Sequence, residues 1–117
     1  MAQAYCPERG DVVWVSFSPQ SGHEQAGDRP ALVLSPKLYN QKSGLAILCP
    51  ITAHEKEYPF EVKIPSGHKV TGAVLADHLK SLDWKARHTR FYCKLPPSAV
   101  SEVIDKIAAL LQIDVEN

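Results

Sequence analysis

Pro96-Pro97-Ser98-Ala99-Val100-Ser101-Glu102-Val103-Ile104-Asp105-Lys106-Ile107-Ala108-Ala109-Leu110-Leu111 is the stretch where this chain changes its hydrophobic period. Val100, Val103, Ile104, Ile107, Leu110 and Leu111 recur at helical spacing and form one apolar stripe opposite a polar face. Pro97 suits the first helical position, where no backbone donor is needed. Such a helix must lay its stripe on a sheet or on another subunit. Upstream the period is that of strands. Val12-Val13-Trp14-Val15-Ser16-Phe17 follows the turn Gly10-Asp11 and is rich in β-branched and aromatic residues. Residues 31–35 and 45–52 are compact apolar runs bounded by Pro and Gly, expected as buried strands. Phe60-Glu61-Val62-Lys63-Ile64 alternates strictly, as a strand with one wet face does. Residues 72–76 and 89–95 complete the set, with a turn at Ser66-Gly67-His68 and a loop over residues 18–29. Short strands closed off by one helix predict a mostly β (α+β) domain over residues 1–117, a small β-barrel with a C-terminal helix.

A chain of 117 residues holds one modest core and gains from a partner subunit. No apolar run is long enough to cross a bilayer, and Met1-Ala2-Gln3-Ala4-Tyr5 lacks the basic and apolar regions of a secretory signal. The expected location is the cytoplasm. Cys6, Cys49 and Cys93 form an odd set without a CxxC pair, expected to be reduced. The net charge of zero is unevenly spread. Lys80, Lys85, Arg87, Arg90 and Lys94 face only Asp83 within residues 80–94, while residues 95–117 carry a local charge of −3. The basic stretch suits a phosphate backbone, an acidic partner or a solvated strand edge.

Gly22-His23-Glu24-Gln25-Ala26-Gly27-Asp28-Arg29-Pro30 brings an acid, an amide and a guanidinium to the mouth of an apolar strand. Pro30 fixes its own backbone and biases Arg29 away from helix. A permanent cation tethered beside a carboxylate is equipment for handling phosphate. The plain alternatives are that Arg29 pairs with Glu24 or Asp28 on the surface, and that Thr52 is an ordinary strand residue.

Several segments together resemble the MazF/PemK-like toxins of bacterial toxin–antitoxin pairs, close to the MazF branch. They are Gly10-Asp11 with Trp14-Val15, His23 to Pro30 as quoted, Leu34-Ser35-Pro36, Tyr39-Asn40 and Pro50-Ile51-Thr52. Tyr58-Pro59-Phe60-Glu61-Val62 and Ala76-Asp77-His78-Leu79-Lys80-Ser81-Leu82-Asp83-Trp84 follow, so the likeness spans nearly the whole chain in order. It implies an SH3-like barrel, a homodimer, and cleavage of single-stranded RNA at a short sequence without a metal or other cofactor. It also implies a MazE-like antitoxin whose acidic, unstructured tail covers the RNA groove.

Cutting RNA with its own 2′-hydroxyl needs a base for that hydroxyl, a donor for the leaving 5′-oxygen and positive charge on the phosphorane. The resemblance assigns catalysis to Arg29 and Thr52. Arg29 suits charge stabilisation, its fork matching two phosphate oxygens, and is also a candidate proton donor to the leaving group. Thr52 can donate its hydroxyl to a non-bridging oxygen, and Glu24 is the candidate base. His23, Gln25, Lys56, Asp77, His78 and Lys80 are the candidate RNA-binding groups. His23 and His78 stand where related toxins often have Ser and Gln. Leu75 replaces an Arg that the PemK-like branch carries two places before Asp77, which shifts the burden to Arg29.

His23, His54, His68, His78 and His88 are scattered, without HExxH or paired-Cys spacing, so a zinc site is not expected. GxSxG, P-loop and GxGxxG patterns are missing. Two rivals remain: a gyrase-poisoning toxin of the CcdB type, and an SH3-like RNA-binding module without catalysis. Trp14 and Trp84 lie far from the C-terminus, which argues against the first. Only a nuclease requires the guanidinium fork of Arg29.

Overall fold

The computed structural model describes residues 5–17 and 27–112. Seven strands, two α-helices and a short 3-10 turn make up these residues: β1 Asp11–Ser16, β2 Asp28–Val33, α1 Lys37–Ser43, β3 Leu45–Thr52, β4 Glu61–Lys63, β5 Ala73–Leu75, the 3-10 turn Ala76–His78, β6 Lys80–Asp83, β7 Arg90–Lys94 and α2 Pro97–Leu111. All the pairings are antiparallel, in the order β4-β5-β3-β2-β1-β7, with β6 also on β3. The mostly β fold with a C-terminal helix is therefore present.

Closure is not. Among the described residues β4 pairs only with β5 and β7 only with β1, so the expected barrel has an open backbone seam. Side chains bridge the gap instead. The Tyr92 hydroxyl donates to the Lys69 carbonyl at 3.0 Å, and Tyr92 and Cys93 pack against the cluster that holds buried Val70. Helix α2 lays Ala99, Val100 and Val103 on the same cluster, with Val12, Leu32, Cys49 and Val62. The predicted stripe thus lies on the sheet from Val100 to Ile107, whereas Leu110 and Leu111 are exposed, and Pro97 opens the helix as expected. A second cluster, Val15, Phe17, Ala31 and Leu48, occupies the opposite face.

Two features of the sheet position the site. β3 changes partner along one edge: Leu45 to Leu48 pair with β6, whereas Ile51 and Thr52 pair with β5. Pro50, with no N–H to offer a ladder, stands in the gap. There the chain between β5 and β6 leaves the sheet as the turn Ala76–His78, carrying Asp77 and His78 outward. The second feature is the start of β2. Asp28 and Arg29 were expected in a loop, but they pair with Ser16 and Val15 of β1. Pro30 is tolerated because β3 joins β2 only from Ala31 onward, so the opening of β2 is an edge.

Beneath α1 lies a polar knot. Asn40, fully buried, donates through Nδ2 to the carbonyls of Pro7 (2.9 Å) and Ser35 (3.1 Å) and accepts the Ser35 hydroxyl at Oδ1. Ser35 Oγ takes the Ile47 N–H at 2.8 Å, and the Trp84 indole N–H donates to the Asn40 carbonyl at 2.9 Å. Ser35, Asn40 and Trp84 are residues of the recognised segments, and their work is to hold the fold.

Candidate active site

The end of β3, the opening of β2, the 53–60 loop and the Ala76–His78 turn enclose an open cleft of about 570 Å³. Arg29, Thr52, His54, Lys56, Tyr58, Glu61, Leu75 and His78 line it. Cross-strand partners share a sheet face, and residues two apart on a strand do too. Ala31 opposes Pro50, so Arg29 and Thr52, each two residues further on, emerge from the same face. The pleat explains how residues 23 positions apart meet in one cleft.

Thr52 is 8% exposed, and its Oγ1 accepts the His54 N–H at 3.0 Å. Its own O–H proton is therefore free to be donated into the cleft. Gly72 fixes the backbone behind it. A Cβ at Gly72 would stand 2.0 Å from the Thr52 carbonyl oxygen, and its φ of +111° is one that L side chains rarely adopt. Here the sequence required glycine for close approach.

Glu61 holds the loop that forms one wall. Its carboxylate accepts the N–H groups of Lys56 (3.0 Å) and Glu57 (2.9 Å), with Glu57 at a positive φ of 57°. Lys56 is thereby presented at the rim, exposed. The Tyr58 hydroxyl donates to Asp77 Oδ1 in a short contact across the cleft. Loss of hydration, then that hydrogen bond, then the charges of Asp77 and Glu61 hold the Tyr58 hydroxyl well above its ordinary pKa. His78 Nε2 lies 3.9 Å from the same Asp77 oxygen, so Asp77 serves Tyr58 and His78 together. Below the turn, burial and then the Asp77 charge push the Cys49 thiol up to about 12.

Of the expected site residues, Arg29, Thr52, Lys56 and His78 converge. Asp77 stands at the edge through Tyr58 and His78. Lys80 does not line the cleft. It opposes Leu48, which places it on the sheet face of Thr52, about 13 Å along β3 at ~3.3 Å per residue. His23, Glu24 and Gln25 lie outside the described residues. His54, Tyr58 and Glu61 escaped the sequence reading. The recognised segment Tyr58-Pro59-Phe60-Glu61-Val62 held two of them, and His54 is two residues past Thr52.

The basic stretch is largely drawn into local pairs. Arg90 meets Asp28 at 3.3 Å, Lys94 meets Asp11 at 3.0 Å, Lys85 sits over the Trp84 ring and Arg87 donates to the Ser16 carbonyl at 3.3 Å. None of these four lines the cleft. Cys6, Cys49 and Cys93 are free thiols, and no described helix is long and apolar enough to cross a membrane.

Comparison with known proteins agrees with this geometry. The chain is 43% identical over 111 residues to the endoribonuclease toxin MazF of Escherichia coli K12, covering 95% of this chain and 99% of that protein. It is 32% identical to the endoribonuclease PemK of Escherichia coli over 89% of its length and 81% of PemK. Among solved structures, MazF from Deinococcus radiodurans superposes with a TM-score of 0.90 at 48% identity, covering 94% of this chain and all of that one. A MazE–MazF structure from the same organism gives a TM-score of 0.85 at 42% identity, covering 95% of this chain and 100% of that one. The profile described as "PemK-like, MazF-like toxin of type II toxin-antitoxin system" matches residues 8–111, and the chain belongs to that family.

Proposed function

We propose that this protein is the toxin of a type II toxin–antitoxin pair, a sequence-specific endoribonuclease that cuts single-stranded messenger RNA without a metal. The supporting observation is the meeting of Arg29 and Thr52, carried by different strands, in one open cleft with Lys56 and His78. The RNA 2′-hydroxyl attacks the adjacent phosphorus as the bond to the 5′-oxygen breaks. Arg29 forks onto the two non-bridging phosphorane oxygens and Thr52 donates its hydroxyl to one of them. Glu24 takes the 2′-hydroxyl proton. Lys56, Lys80, Asp77, His78, His23 and Gln25 grip the strand, Lys80 reaching a phosphate beyond the scissile one.

The working unit is a homodimer in the cytoplasm, its barrel SH3-like. An apolar groove between Leu34, Tyr39, Ile47, Leu79, Ile104 and Ile107, with Tyr39 and Leu79 more than a third exposed, favours a covered face. The free thiols suit a reducing compartment. A MazE-like antitoxin silences the enzyme through an acidic, disordered tail laid along the cationic cleft.

Purified protein incubated with a long single-stranded RNA in EDTA tests the reading, with the new ends sequenced. Cuts at one short motif leaving a 2′,3′-cyclic phosphate and a 5′-hydroxyl are the expected outcome. Intact RNA at high enzyme concentration would overturn it in favour of a binding module.

A further inference from the structure

A guanidinium holds its proton too tightly to be an efficient acid, so with Arg29 on the phosphorane charge the departing 5′-oxygen needs another donor. We infer that His78 is that donor, placed beside Asp77, which Tyr58 fixes in turn; the inference rests on the nuclease reading above. His78 lines the cleft together with Arg29 and Thr52, and its Nε2 lies 3.9 Å from Asp77 Oδ1. Imidazole is the side chain suited to exchanging protons near neutral pH. Tyr58 donates to the same oxygen from the opposite wall, so the carboxylate is anchored rather than swinging. A histidine oriented by a carboxylate that is itself hydrogen-bonded has the architecture of a proton-transfer group.

The other groups around His78 shape this. Arg29 on β2, Lys56 in the 53–60 loop and Glu61 on β4 are the charged groups that line the same cleft. His54 is the second imidazole of the cleft. Cys49 of β3, beneath the turn, stays a neutral thiol. Helix α2 packs on the turn through the apolar cluster of Ala76, Val103 and Ile107. The step balances: the bond from O2′ to phosphorus forms, the bond from phosphorus to O5′ breaks, and the O5′ electron pair takes the imidazolium proton. Solvent water then reprotonates the imidazole.

Single-turnover cleavage at saturating RNA, followed across pH, tests the assignment in the full-length protein. His78→Gln should lower kcat about 10²-fold with KM within about threefold, and should lose the alkaline fall in rate that wild type shows. A substrate whose scissile 5′-oxygen is replaced by sulfur needs no acid, so on it His78→Gln should recover to within about threefold of wild type. A persistent 10²-fold deficit on the sulfur substrate, or an unchanged alkaline fall in His78→Gln, overturns the inference. Failure of the wild type to cut RNA at any pH overturns the nuclease reading itself, a result seen without any variant.

Discussion

The knot beneath α1 and the cleft beside β3 are both built from polar side chains in the recognised segments, yet they differ in how those side chains are saturated. Asn40 directs both its amide donor and its amide acceptor at protein groups, and Ser35 Oγ both donates and accepts. Such a site has nothing left to offer a ligand. In the cleft, Thr52 Oγ1 only accepts, Lys56 points to solvent and His78 meets a carboxylate at ion-pair distance on one side. Both places lie in segments that carry the resemblance, but saturation separates residues that hold the fold from those that meet a substrate.

Arg29→Ala gives the sharpest test of that separation. On the cleft side it should remove about 10³-fold of cleavage, about 4 kcal/mol in the barrier, while the melting temperature stays within a few degrees of wild type. Toxicity assays and calorimetry on one preparation read both. Wild-type cleavage by this variant would break the mechanism. Arg29→Lys separates a nuclease from a binder, since a binder keeps most of its affinity while the fork-dependent rate falls.

Gly72→Ala is the next largest, because it joins the two regions. Its Cβ would meet the Thr52 carbonyl, so the protein either loses about 3 kcal/mol of stability or moves Thr52 and cuts more slowly. Denaturant titration and cleavage rates together show the balance; a variant unchanged in both would refute the close approach. Asn40→Ala should then lose about 2 kcal/mol by leaving buried groups unpaired. Its kcat, measured well below the melting temperature, should be that of wild type. A selective loss of kcat would place the knot within the catalytic machinery.

Legibility followed the same division between local pattern and long-range placement. β1, β3 and α2 were plain in the sequence because each has a strong local period. α1 was not, being seven residues between Pro36 and a left-handed Gly44, too short to show a stripe. β6 was missed because Lys80-Ser81-Leu82-Asp83 is mostly polar and is a strand only by pairing with β3. The barrel was expected to close because turn-punctuated strands suit closure, but side chains at Tyr92 seal the seam without a ladder. In the site, Arg29 was legible from its own loop as a cation suited to phosphate, but its pairing with Thr52 only through resemblance, since 22 intervening residues hide a meeting that the pleat and register create. Tyr58 and Glu61 were missed because their roles depend on what the turn and the loop bring opposite them.

Cys49 offers the smallest effect and a test of how far the cleft's charge reaches into the core. Its folded pKa, about 12, lies above the ordinary thiol value of 9.0, chiefly through burial and then through the Asp77 carboxylate. Between those values the unfolded chain has lost the proton that the folded chain keeps, so stability falls as pH rises. The contribution is complete below pH 9 and shrinks from there, the loss reaching about 1.4 kcal/mol by pH 10. Tyr58 and Tyr5 are raised as well, but their unfolded value is 10.0, so the earliest alkaline loss belongs to the thiols, Cys49 and also Cys93, which burial raises from the same 9.0. Denaturant titrations between pH 8 and 10 should therefore show a decline in wild type that Cys49→Ala flattens. An identical decline in that variant would mean that another group governs alkaline stability. A milder onset in Asp77→Asn would show that a carboxylate placed for RNA chemistry also charges the core beneath it.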